Sequence, residues 1–292
     1  MFFAPLLAVV ASSALSVGLY LMKRQAERLP SLQGGWHLAA WWAFIRDPLW
    51  VLGVALQTGG YGLYLTALRA APLSVVHTAL NGGIVLFVLL AVVGLGERVR
   101  AVEWLGVSCV VLGLIALGAS LTGDAPAAAS AQGMVFFATA VVGLALLALA
   151  IDASPGRAIG LSIATGLFLG LASVFAKTLV AADSLAAALS SRPLWLTLGA
   201  NIVGFILMQG ALQAGRGVVV VPLFSTLSNL VPIVGGILLY GEWEAAPTGA
   251  AALRPLAFVL ALGGGALLAG FGEHASPNPP ATLRHAQREC DS

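Results

Sequence analysis

Charge is what this sequence has least of. Asp, Glu, Lys and Arg make up 9% of its 292 residues, against roughly 25% in an average soluble domain, which excludes a water-soluble globular chain. A net charge of +2 scattered over segment ends offers no basic patch to attract nucleic acid. Cysteine is nearly missing: Cys109 sits in an apolar segment and Cys290 in a polar tail, with no metal-ligand spacing and no reason to pair. There is no Gly-x-Ser-x-Gly elbow, His-Glu-x-x-His pair, phosphate-binding loop or pair of core carboxylates. Without them nothing points to an enzyme, a cofactor or a resident metal.

What fills the chain is hydrocarbon, 59% of the residues. Apolar segments near the ~20 residues that cross a bilayer fall at 2–22, 48–69, 73–94, 103–121, 132–151, 158–179, 194–214, 218–240 and 249–271. The expected fold is an all-α polytopic membrane protein with nine transmembrane helices. A tenth candidate, Trp36 to Ile45, is too short for an ordinary span and carries three of the seven tryptophans, so it reads as an interfacial helix, with a short crossing as the alternative. Trp50, Trp104, Trp195 and Trp243 mark span ends, where an amphipathic ring gains from both phases. The first apolar run lacks preceding basic residues, so it reads as a retained helix rather than a cleaved signal.

Lys and Arg set the orientation. With nine spans, Lys23, Arg24, Arg28, Arg46, Arg98, Arg100, Arg157, Arg216, Arg284 and Arg288 share one side, leaving Arg69, Lys177, Arg192 and Arg254 on the other. The richer side is expected to be cytoplasmic, in a multi-pass plasma (inner) membrane protein whose tail, 272–292, is a disordered cytoplasmic end.

Two stretches repeat one another. Pro48 to Glu97 and Pro193 to Glu242 each open on Pro-Leu-Trp, carry Ala67-Leu68-Arg69-Ala70 or Ala211-Leu212-Gln213-Ala214, and close on Gly-Glu. Lys23 and Lys177 end the span before each. The orientation puts the copies on opposite faces, as inverted halves at 1–121, with four helices, and 132–271, with five. Inverted halves are the architecture of transporters that expose a midplane site to either side in turn.

Gly96-Glu97, Trp104-Leu105-Gly106, Gly113, Gly241-Glu242 and the two lysines resemble the drug/metabolite transporter superfamily. The nine-span layout and MQGALQAGRGVVVVPLFSTLSNLVPIVGGILLYGEW are similar to its NIPA-type branch, whose eukaryotic members are described as magnesium transporters. The resemblance implies a transporter with a small-molecule or ion substrate, but a shared fold does not carry the substrate with it.

Polar side chains at bilayer depth are costly unless paired or facing a wet cavity. Gln57, Tyr61 and Tyr64 share one face of the second span; His77 and Asn81 share one face of the third. Asn201 and Gln209 lie about 80° apart on the seventh, and Ser225, Ser228 and Asn229 form a stripe on the eighth. Together they are the expected substrate-binding residues. Individually, hydrogen bonding to neighbours is the alternative for the amides and serines, packing for the tyrosines, and a structural bond for His77, the one histidine inside a span. The glycines read chiefly as points of close helix approach, and Glu97 and Glu242 as capping or solvated residues. The acidic residues all fall in loops, the tail or helix ends and none lies within a span away from its ends, which disfavours proton-coupled export of lipophilic cations and makes a magnesium site harder to build. The expected function is alternating-access transport of a small polar or zwitterionic metabolite. The alternatives are a NIPA-like magnesium permease and, from another class, a non-transporting scaffold or receptor, which the short loops disfavour. The expected surroundings are the lipid bilayer and a monomeric or homodimeric state.

Overall fold

A computed structural model describes residues 3–30, 38–70, 73–120, 130–151, 156–180, 191–240 and 253–272. Ten helices make up almost all of this: α1 (Phe3–Ala26), α2 (Leu38–Arg46), α3 (Pro48–Ala70), α4 (Leu73–Gly94), α5 (Ala101–Ser120), α6 (Ala131–Leu149), α7 (Gly156–Val180), α8 (Arg192–Ala214), α9 (Gly217–Tyr240) and α10 (Leu253–Gly272). Every apolar segment read from the sequence carries one of them, and no strand occurs among the described residues. Within those residues, five stretches are long and apolar enough to cross a membrane: 131–149, 156–176, 192–214, 217–240 and 253–270. α2, the Trp-rich segment, is nine residues long, about 14 Å, and too short to cross. The tail beyond 272, Trp36, Glu242 and Trp243 lie outside the described residues.

The outer surface is built for hydrocarbon. Phe136 and Leu147 of α6, Trp195 and Ile202 of α8 and Val259 of α10 all stand exposed, a pattern that would drive association in water and costs nothing against lipid tails. The buried side chains lie inward, most densely on α7 and α9.

Lipid tails are as apolar as leucine, so helices gain by fitting closely rather than by escaping solvent. The pairings follow the small residues. α1 packs on α3 and α4, α7 packs on α8 and α9, and α5 packs on α10. A Cβ on Gly18 of α1 would lie 2.7 Å from the Gly53 carbonyl of α3, and one on Gly53 would lie 2.8 Å from the Gly18 carbonyl. Gly166 and Gly170 of α7 meet the Phe224 carbonyl and Val231 Cβ of α9, each at 2.6 Å from such a Cβ. Gly264 of α10 stands equally close to the Gly106 carbonyl of α5. Close approach is therefore the use of these glycines, whereas Gly59, Gly62, Gly82 and Gly263 face open space.

Candidate functional site

Four helices line a partly open central cavity of about 210 Å³. α1 contributes Ser12, Leu15, Ser16 and Leu19; α3 contributes Gln57; α4 contributes Gly83, Ile84 and Phe87; α9 contributes Val221, Phe224, Ser225 and Asn229. Its depth follows from helix rise. Ser225 and Asn229 lie about 12 and 18 Å from the start of α9, and Ser16 and Ser12 about 10 and 16 Å from Lys23 near the end of α1. These depths straddle the middle of a ~30 Å hydrocarbon core.

The cavity's polar groups are held in place by backbone carbonyls. Ser16 Oγ donates to the Ser12 carbonyl at 2.9 Å and across to the Gly83 carbonyl at 2.8 Å. The absence of a side chain at Gly83 makes that approach possible, since a Cβ there would stand 2.7 Å from Ser16 Oγ. Gln57 Nε2 donates to the Leu15 carbonyl at 3.1 Å, and Asn229 Nδ2 to the Ser225 carbonyl at 2.8 Å. Ser228 Oγ takes the same carbonyl at 3.0 Å. Each amide thus uses one donor, leaving its carbonyl oxygen and second N–H unpaired among the described residues. Pro232 supplies no N–H to the Ser228 carbonyl, so another acceptor is released at this depth.

Of the ten residues expected to bind substrate, Gln57, Ser225 and Asn229 come together here, with Ser228 adjoining through its bond to Ser225. Gln209 does not. It is fully buried, accepting from Trp50 Nε1 at 3.2 Å and donating to Met22 Sδ at 3.6 Å, and so ties α8 to α3 and α1. Asn201 is exposed, donates to the Thr197 carbonyl one turn back, and borders an apolar outer groove with Trp41, Phe205 and Ile206. That groove, about 430 Å³, is larger than the central cavity but has only lipid-facing chemistry. Tyr61 is 53% exposed and packs on Tyr64 with ring centroids 5.7 Å apart, away from the cavity. His77 and Asn81 belong to α4, but their side chains lie outside the described residues.

Sequence reasoning passed over Ser12 and Ser16, although their i, i+4 spacing in an apolar helix was a readable signal. It also missed the network that closes one end of the bundle. Gly96, with φ of +68°, turns the chain out of α4, and Leu95 and Glu97 both donate their N–H to the Ala91 carbonyl. Such a left-handed residue after a helix suits glycine, and here it aims Glu97 at α9. The first turn of α9 needs a side-chain acceptor, and the side chain of the flanking Arg216 has only donors. Glu97 supplies it from 120 residues away, accepting from Gly217 N at 2.7 Å and Val218 N at 2.9 Å. A carboxylate also suits the positive end of the helix dipole.

The preceding helix ends in the complementary way. Lys23 Nζ donates to the Leu212 carbonyl at 2.7 Å and the Gly215 carbonyl at 2.6 Å, at the negative end of α8, and pairs with Glu27 at 2.9 Å. Gln213 returns the contact, donating to the Ala26 and Pro30 carbonyls at 3.3 and 3.1 Å. Arg216 pairs with the fully buried Glu103, Nη1 to Oε1 at 2.5 Å, while Glu103 Oε2 caps α5 by accepting from Arg100 N at 2.7 Å. Arg216 also donates to the Arg98 carbonyl. The α8–α9 turn is thus clasped on both sides by α1, α5 and the α4–α5 connection. Glu97 is a cap, as its place at a helix end implied, but for a distant helix.

Comparison with known protein families, curated proteins and solved structures finds no match to this chain.

Proposed function

We propose that the chain is a secondary transporter of the drug/metabolite type, moving a small polar or zwitterionic metabolite by alternating access. On this reading the nine apolar helices all span the membrane and the halves 1–121 and 132–271 are inverted copies. The clasp lies on the cytoplasmic side of a plasma (inner) membrane, as the Lys and Arg bias suggests. The matching ways in which α1 packs on α3 and α4, and α7 on α8 and α9, support the two-halves reading. The observation that carries the function is the central cavity. It sits at mid-depth between helices of both halves and is lined by neutral amides and hydroxyls, of which the Gln57 and Asn229 amides keep hydrogen-bonding capacity among the described residues. A protein needing only stability would have filled or satisfied it.

The same lining argues against a magnesium permease, because a hard dication seeks carboxylates and the described residues lining the cavity include none. Among the described residues no group of three or more His, Cys, Asp or Glu comes together. A scaffold has no use for unsatisfied polar groups at mid-depth. The test is uptake into liposomes of neutral and zwitterionic probes, amino acids and nucleosides, by the wild type and by Gln57→Ala with Asn229→Ala. At least a tenfold loss of flux at equal abundance is expected; equal flux removes the cavity from the transport path. Thermal stabilisation by millimolar magnesium chloride, and by none of the organic probes, would favour the permease instead.

A further inference from the structure

We propose that the clasp around the α8–α9 turn is the closed gate of the transport path, so that its release opens the central cavity toward that end. This rests on the transporter reading. Its principal bonds join residues before 121 to residues after 132: Lys23 to the Leu212 and Gly215 carbonyls, Glu97 to the Gly217 and Val218 N–H groups, and Glu103 to Arg216. A bolt that only stabilised one half would have no need to cross.

The chemistry suits repeated making and breaking. On the α8–α9 side most partners are helix-terminal backbone groups, which water satisfies at the end of a bundle. Glu97 and Lys23 are likewise groups that hydrate readily once released. The clasp is also wired to the cavity. Phe87 lines the cavity, and a Cβ on Gly217 would lie 3.1 Å from its ring and 3.3 Å from Glu97 Oε1. Ser225 and Asn229 ride on the helix that Glu97 caps, and Pro222, inside that helix between the cap and Ser225, is a point where it bends without losing a further N–H bond. Freeing the start of α9 therefore moves the cavity's wall and uncovers it from the clasp end.

The test needs no knowledge of the substrate. In a background with Cys109→Ala and Cys290→Ser, Ser225→Cys places a thiol in the cavity. A membrane-impermeant maleimide is applied from each face of oriented vesicles, and modification at position 225 is read by mass spectrometry. With Glu97→Gln or Lys23→Met, modification from the clasp side is expected to rise at least fivefold. With Glu97→Cys and Gly217→Cys bridged by Cd²⁺, it should stop, and it should return on chelation. Clasp-side modification unchanged in folded Glu97→Gln and Lys23→Met overturns the gate. Where those variants fail to fold the Cd²⁺ bridge decides, and labelling that persists through the bridge overturns it. A position 225 labelled to the same extent in every variant sinks the gate alone; a position 225 unreachable from either face in every variant sinks the transporter reading as well.

Discussion

The clasp and the cavity are both polar, and both lie between α9 and the first half of the chain, yet they are built on opposite principles. At the clasp acidic and basic side chains each close on a partner: Glu97 on two N–H groups, Lys23 on two carbonyls, Glu103 on Arg216 and Arg100. In the cavity the groups are neutral, and the Gln57 and Asn229 amides keep bonding capacity in reserve among the described residues. Depth explains the division. A charge at mid-bilayer costs at least 2.5–3.5 kcal/mol on insertion scales, whereas at the bundle end headgroups and water lower that cost. On the proposed reading, charge combined with helix termini would hold the halves together, and neutral amides would receive the substrate.

If that division is right, stability belongs to the clasp and flux to the cavity. The largest loss is expected from Arg216→Ala. It leaves the fully buried Glu103 carboxylate without its cation, and breaking a buried pair on one side typically costs about 3–5 kcal/mol. Denaturation in mixed detergent micelles measures it, and a loss below about 1 kcal/mol would mean that water already reaches Glu103. Glu97→Ala comes next, at about 2–3 kcal/mol, because two charge-assisted bonds to α9 disappear together. Glu97→Gln should recover part of this by keeping one acceptor oxygen, and equal losses in the two variants would deny the cap. Gly53→Ala follows at about 1–3 kcal/mol of overpacking, since the new Cβ meets the Gly18 carbonyl, backbone that cannot rotate away. The same substitution at Gly59, which faces open space, should be near neutral.

The helices were legible in the sequence because bilayer thickness and apolar composition fix their lengths almost without reference to one another. The apolar segments read from the sequence coincide with helices to within a few residues, and five of these are long and apolar enough to cross a membrane. The site was legible only in part. Gln57, Ser225 and Asn229 sit at the right depth and also face the right neighbours; Gln209 sits at a plausible depth but meets Trp50 and Met22. Depth is a property of one helix, whereas facing depends on which helix lies beside it, and a low-amphipathicity membrane helix does not declare its inward face. The clasp was hidden for a related reason. Glu97, Lys23 and Arg216 are each visible as charges at helix ends, but nothing local says that Glu97 caps a helix 120 residues on.

The smallest expected change in stability is the one that sharpens the comparison most. Among the described residues Asn229 Nδ2 bonds only within its own helix, to Ser225 O, so Asn229→Ala breaks no described bond between helices and gains several tenths of a kcal/mol in helix propensity. Stability should stay within about 1 kcal/mol of wild type and move upward if at all, the usual sign for a residue kept for function rather than for the fold. Gln57→Ala loses one interhelical bond, to Leu15 O, worth roughly 0.6 kcal/mol by the average for such bonds in membranes, and should fall just below. A loss above about 2 kcal/mol for Asn229→Ala would make it a structural bolt like Glu97, and the division between a holding end and a receiving centre would fail at the residue where it is easiest to test.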